Sequence, residues 1–230
     1  MRDHNDMKTL TTVTLILAFA SSVYAGAGME SAQPAPSAPA APAVRGRVVF
    51  MEGDVEIDGR AAEIGTELGA RSVVRTGPGA NCEIVFADKN AVRVSQNATA
   101  TLDFSRTIVQ IDLEKGGVTS VLRKLAAASG DDSFRIRTAG AVAGVRGTSL
   151  CVWADATSTY VCACNGTVHT VDAKGGNEFT TEASHHQAKI YSRAGESISV
   201  EAAGMLHHTD ESVESLAARI GEKIDWTVPD

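Results

Sequence analysis

The chain has 230 residues, and its 21 Lys plus Arg against 28 Asp plus Glu give a formal net charge of -7. That length suits one medium domain once targeting segments are set aside. With no basic run longer than Arg123-Lys124, the charge excludes an electrostatic nucleic-acid binder. The 43% hydrophobic content lies in short runs beside 21 glycines and 5% aromatics, a composition of short strands joined by glycine turns and not of a helical bundle.

Residues 1–25 read as a secretory signal. An apolar stretch, Thr9 to Ala20, follows Arg2 and Lys8 and precedes Val23-Tyr24-Ala25, a small-x-small site that predicts cleavage after Ala25. The stretch falls short of the roughly 20 residues a spanning helix needs, so no stable membrane span is expected after cleavage. The expected compartment is the periplasm or beyond. Residues 26–44 alternate Pro and Ala, which disfavours helix and sheet and predicts an extended linker.

From Arg45 onward the pattern changes to period two. Val109, Ile111 and Leu113 interleave with Gln110, Asp112 and Glu114, and Phe134 and Ile136 interleave with Arg135 and Arg137, as half-buried strands do. Glycines open many of these segments, at Gly46, Gly53, Gly116 and Gly166, and Arg75-Thr76-Gly77-Pro78-Gly79 precedes the strand Cys82 to Phe86. These read as turn punctuation.

Four stretches come in a telling order: LGARSVVRTGPGANCEIVFADKNAVRVSQNATATL from Leu68, LEKGGV from Leu113, RIRTAGAVAGVRGTSLCV from Arg135, and NGTV from Asn165. In that order they resemble the FecR domain of exported bacterial envelope proteins, and the most specific element is Val145-Arg146-Gly147-Thr148. The resemblance covers residues 45–172 as one domain and leaves 173–230 as a C-terminal extension. It implies an all-β fold of short strands, a solenoid-like β-roll or a sandwich, used for binding an envelope protein or a cell-wall component, without catalysis. The iron-transport regulators of that family carry an anti-sigma segment and a spanning helix ahead of the domain. Neither is read here. Arg146 is expected to tie loop carbonyls and not to hold a ligand.

The cysteines, Cys82, Cys151, Cys162 and Cys164, are destined for an oxidising compartment, where paired thiols default to disulfides. Ser149 to Trp153 and Thr159 to Asn165 read as a hairpin that places Cys151 opposite Cys162, so a Cys151–Cys162 disulfide is geometrically open. Cys162 and Cys164, two apart on one strand, share a face and suit chelation of a common metal better than bonding each other. Histidines follow at His169, His185-His186 and His207-His208. One member of each pair can reach a site shared with Cys162 and Cys164; His186 and His208 are the first choices, with nothing in the pattern to prefer them. Such a Cys2His2 set suits zinc, or an iron centre as the other option. Disulfide and metal remain alternatives.

The chain ends in one expected helix, with Thr209 or Asp210 as its cap, Val213, Leu216, Ala217 and Ile220 as an apolar stripe, and Gly221 as its stop. The stripe is expected to pack on the domain's own sheet. No GxSxG, HExxH or phosphate-loop pattern is present, and no spacing of Asp88 or Asp103 with a histidine supports hydrolysis. The sequence therefore reads as an exported, non-enzymatic FecR-domain module of the envelope, with a metal-binding or redox role centred on the CxC and His-His elements as the alternative.

Overall fold

The computed structural model describes residues 45–106, 108–123 and 133–229, without the side chain of Arg146. The signal, the Ala25 cleavage site and the linker lie outside the described residues, as does the role read for Arg146. In chain order the elements are β1 (Gly46–Glu52), β2 (Val55–Ile57), β3 (Arg60–Ala61), β4 (Arg71–Thr76), β5 (Asn81–Phe86), β6 (Asn90–Val94), β7 (Thr99–Asp103), β8 (Val109–Leu122), β9 (Phe134–Arg137), β10 (Ala141–Ala154), β11 (Ser158–Asp172), β12 (Phe179–Ala183), β13 (Gln187–Ala194), β14 (Ser197–Ala203) and α1 (Asp210–Ala218). The fold is all-β with one short C-terminal helix among the described residues. Three strands of the extension, β12 to β14, were not anticipated from the sequence.

One 14-stranded sheet runs β14-β13-β11-β10-β9-β8-β7-β4-β2-β3, with β1-β5-β6 branching from β8 and β12 from β11. Every pairing is antiparallel except β8 with β9. Three long strands hold it together, and each changes partner half-way. β8 pairs with β7 and β9 along its first half and with β6 and β10 along its second. β10 passes from β9 to β8, and β11 from β13 to β12.

The Val145-Arg146-Gly147-Thr148 element marks the changeover in β10. The register shifts between Val145 and Thr148, Gly147 takes φ of +84°, and Thr148 Oγ1 accepts from the Thr167 N–H at 3.1 Å. A side chain at Gly147 would be strained by that φ. In backbone terms the element is a bend in a strand.

Side chains alternate between two cores. Along β10, Leu150, Val152 and Ala154 enter the main core with Val161 and Ala163 of β11, together with Phe86, Phe134, Ile84 and Leu102. The other face carries Cys151, Tyr160, Cys162 and Cys164 into a second cluster with Val213, Leu216 and Ala217 of α1. Strand β11 is thus buried on both faces over its first half, where simple alternation predicts one wet face. The extension supplies the cover, and burying Val213 and Leu216 contributes about 1.5–3 kcal/mol each.

Helix α1 matches its sequence signals closely. Thr209 is the N-cap and forms a capping box with Ser212, and Gly221, just beyond the helix, takes φ of +72°. An ionic knot holds α1 to the sheet. Glu83 of β5, its side chain 2% exposed, accepts from its cross-strand partner Arg93 at 2.9 and 2.5 Å and from Arg219 at 2.6 Å. Arg93 also donates to the Ser212 carbonyl and the Ser215 hydroxyl.

Replacing Glu83 with Ala leaves two guanidinium groups facing each other without their carboxylate, and about 3 kcal/mol of stability is expected to be lost in urea unfolding. Arg219→Ala, at a 37%-exposed side chain, is expected to lose under 1 kcal/mol. The β10–β11 loop offers a second test. Asp155 accepts from the Ser158 hydroxyl and from the Thr157 and Ser158 N–H groups, and these bonds, the Ser158 hydroxyl foremost, pull its carboxyl from the usual 3.8 to about 2. A carboxyl depressed by folding stabilises the protein above its unfolded pKa, and the contribution is lost as pH falls through the folded value. Asp155→Ala should therefore cost about 1 kcal/mol at neutral pH, with the gap to the parent closing between pH 4 and pH 2 in denaturant titrations.

Candidate metal centre

At the second cluster, Cys162 and Cys164 meet His186 and His208, the other two residues singled out by chemistry. One donor atom each from Cys162, Cys164, His186 and His208 lie within 4.8 Å of one another. The local backbone explains how. Between β11's pairings with β13, which end at Ala163, and with β12, which start at Gly166, no ladder partner faces Cys164 and Asn165. On the β10 side the register skips at the same place, with Leu150 opposite Ala163 and Ser149 opposite Asn165, so Cys164 is an inserted bulge residue. Bulges re-aim side chains. The free Cys164 carbonyl takes the His186 N–H at 2.9 Å, and His186, with φ of +39°, turns its ring over the two cysteines.

His208 arrives from the other side, ahead of α1. Gly117 of β8 sits opposite Trp153, and a Cβ there would lie 2.3 Å from the indole, so only glycine lets Trp153 lie against the sheet. Trp153 stacks on His207 with centroids 4.5 Å apart. The Tyr160 hydroxyl donates to the Gly204 carbonyl and accepts from the Leu206 N–H at 3.0 Å. These contacts fix residues 204–207, and His208 follows into the cluster.

The inner donor atoms are close. His208 Nε2 is 3.1 Å from His186 Nδ1 and 3.3 Å from Cys164 Sγ, and Cys162 Sγ is 3.6 Å from His186 Nδ1. A tetrahedral zinc ion with usual bond lengths separates its ligands by about 3.4 Å for two nitrogens and about 3.6 Å for nitrogen and sulfur. These three edges lie within a few tenths of an ångström of those values.

The outer nitrogens settle which way the rings are protonated. His186 Nε2–H donates to Asp210 Oδ1 at 2.8 Å and His208 Nδ1–H donates to the Leu206 carbonyl at 2.6 Å. Both partners only accept, so each ring must carry its proton outside. Two imidazole lone pairs are then aimed at each other 3.1 Å apart, a contact that needs a cation between them, either a proton or a metal. In metal sites the outer N–H of a ligating histidine is usually held by a carboxylate or a carbonyl in this way. His185 Nε2–H donates to the other Asp210 oxygen at 2.9 Å. Burial pushes the Asp210 carboxyl up, but the hydrogen bonds from His185 and His186 outweigh it and hold it low.

With protons as the cations, the cluster separates charge. The hydrogen bond from Cys164, with those from His186 and His208, pulls the Cys162 thiol down to about 3 against the effect of burial. Burial foremost pushes Cys164 well above the usual thiol range. For His208, burial works against the charge, but contacts with the Cys151 and Cys162 sulfurs raise it to about 10. The anionic form is thus favoured at Cys162 and the protonated forms at Cys164 and His208.

The remaining candidates fall outside it. His169 is exposed on β11 and bonds Thr180. Cys82 belongs to the main core, where burial pushes its thiol up to about 12. Cys151 and Cys162 are cross-strand partners as the hairpin reading requires, but all four cysteines are free thiols. Sequence reasoning missed Asp210, placed only as a helix-start residue, and Trp226, whose ring lies 5.0 Å from His186 and 5.1 Å from His185 and which donates to Glu214. The dipeptide spacing His208-Thr209-Asp210 was the available signal for the first; nothing local marks the second.

Comparison with known proteins places the centre in context. Residues 72–169 match the family model described as "FecR protein", so Cys151, Cys162 and Cys164 lie inside the matched segment and His186 and His208 beyond it. No curated protein matches the chain. Among solved structures, two crystal structures titled "putative anti-sigma factor" from Parabacteroides distasonis are similar. One is 16% identical with a TM-score of 0.46, over 57% of this chain and 60% of that one. The other is 18% identical with a TM-score of 0.44, over 56% and 59%. The chain thus spans about three-fifths of the length of the structures it matches.

Proposed function

We propose that this chain, whose residues 72–169 match the FecR family model, is an exported, non-enzymatic binding module of the bacterial envelope, whose extension is fastened to the matched domain by a structural zinc ion on Cys162, Cys164, His186 and His208. One observation carries the zinc reading: the inward ring nitrogens of His186 and His208, each ring with its outer N–H committed, meet at 3.1 Å beside the Cys162 and Cys164 sulfurs at 3.6 and 3.3 Å. Four protein donors complete the coordination shell, with both cysteines fully buried and the His186 side chain 6% exposed. A closed shell has no position for water or substrate, which favours a structural ion over a catalytic one. Two thiolates and two imidazoles suit zinc better than iron, whose sulfur clusters are held mainly by thiolates.

The export half of the proposal rests on the signal-like residues 1–25 and the Ala/Pro linker. Among the described residues no helix is long and apolar enough to cross a membrane. The partner expected is an envelope protein or a cell-wall component, to be sought by pull-down with the zinc-loaded chain.

Elemental analysis and equilibrium dialysis of the reduced chain test the metal. One zinc per chain is expected, with uptake releasing protons because Cys164 and His208 hold theirs at neutral pH; affinity should accordingly rise with pH between 6 and 8. Cobalt substituted for zinc should give thiolate charge-transfer absorption and quench Trp226. Cys164→Ser should abolish binding, whereas Asp210→Asn, which touches only the outer nitrogens, should weaken it about tenfold. A reduced, folded chain that takes up no zinc or cobalt overturns the reading.

A further inference from the structure

Cys151 is a third thiol at this centre with no place among the four donors. It is 1% exposed, shares the apolar cluster with Cys162 and Cys164, and lies directly across the ladder from Cys162. Antiparallel partners stand about 4.5–5.5 Å apart at Cα, inside the range of about 4.4–6.8 Å that a disulfide spans. Cys162 and Cys164, two residues apart on one strand, carry their side chains side by side on one face, an arrangement less suited to bonding each other than a cross-strand pair is. Cys82 is on the opposite face of the sheet. Cys162 therefore has one good disulfide partner, and it is the residue left out of the tetrahedron.

We infer that Cys151 closes the metal centre: in the metal-free protein it takes Cys162 into a cross-strand disulfide, so that this bond and the zinc ion exclude each other. The inference rests on the zinc reading above and adds its regulation. The exclusion is a matter of valence, because a sulfur in a disulfide has lost the thiolate that binds zinc, and three donors remain of four.

The oxidant is a small-molecule disulfide such as glutathione disulfide. The Cys162 thiolate attacks one of its sulfurs, the S–S bond breaks, one glutathione thiolate leaves, and a mixed disulfide stays on Cys162. Cys151 then loses its proton and attacks the Cys162 sulfur, and the second glutathione thiolate departs. Two protein thiols become one disulfide, and one glutathione disulfide becomes two glutathiones.

Access decides the order of events. Cys151 and Cys162 are covered by residues 204–226, the strap that includes the Tyr160-anchored turn, His208, α1 and Trp226. Zinc bound to His208 and His186 holds that strap down, so the loaded centre should resist oxidation and the empty one should not. In an oxidising compartment the zinc ion would have to be present before the thiols meet an oxidant.

The test uses the purified, reduced chain, either stripped with a chelator or loaded with zinc, then exposed to glutathione disulfide, alkylated and mapped by peptide mass spectrometry. The stripped chain should form the Cys151–Cys162 disulfide and lose at least tenfold in zinc uptake, restored by reduction. The loaded chain should keep its thiols. Cys151→Ala should still bind one zinc when reduced, and after oxidation should accumulate a glutathione adduct on Cys162, because the resolving thiol is gone. Zinc binding by the reduced chain together with a Cys162–Cys164 bond in the oxidised one, or full zinc uptake by the Cys151–Cys162 disulfide form, overturns the inference and leaves the zinc reading standing. Failure of the reduced chain to bind zinc, with the Cys151–Cys162 bond still forming, overturns the zinc reading and makes that bond structural only. The wild-type mapping needs no variant, so a misfolded Cys151→Ala does not block the decision.

Discussion

The long antiparallel contact between β10 and β11 is the constraint on which the rest of the structure depends. It puts Leu150, Val152, Val161 and Ala163 on one face and Cys151, Tyr160 and Cys162 on the other. The first set is continuous with a core drawn from nearly every strand. The second is too small to be covered by the sheet alone and has to be roofed by the extension. Because sheet side chains alternate strictly, neither set can change without the other.

A break in that contact creates the candidate centre. Where β11 leaves β13 for β12, the bulge at Cys164 frees a carbonyl, and the His186 N–H fills it. A buried backbone acceptor must find a donor, and here its satisfaction also delivers an imidazole to the thiols. The strand change in β10 at Gly147-Thr148 works similarly, with the Thr148 hydroxyl replacing a ladder bond. In both places the chain trades regular pairing for a side-chain or corner contact.

The groups behind the four candidate donors are themselves tied down. Asp210 serves α1 as an acidic first-turn residue and binds both His185 and His186. Glu83, Arg93 and Arg219 anchor the same helix at its other side. Helix, strap and centre are therefore mechanically one unit, and any ion on His208 would act on the docking of α1 as directly as on the cysteines.

Much of this was legible in residue order. Period-two runs such as Val109 to Glu114 identified strands, and a cap at Thr209 or Asp210, the Val213-Leu216-Ala217 stripe and Gly221 located the helix to within a few residues, with Ile220 falling beyond its end at Ala218, because local geometry reads local sequence. The same-face relation of Cys162 and Cys164 and the opposition of Cys151 and Cys162 also followed from strand geometry. What the sequence could not decide was which histidine of each pair turns inward, that Asp210 and Trp226 stand behind them, or that β12 to β14 extend the sheet. Those outcomes depend on a bulge, on a left-handed backbone at His186 and on a glycine opposite Trp153. Each is fixed by contacts between residues far apart in the chain, and only the folded sheet brings them together.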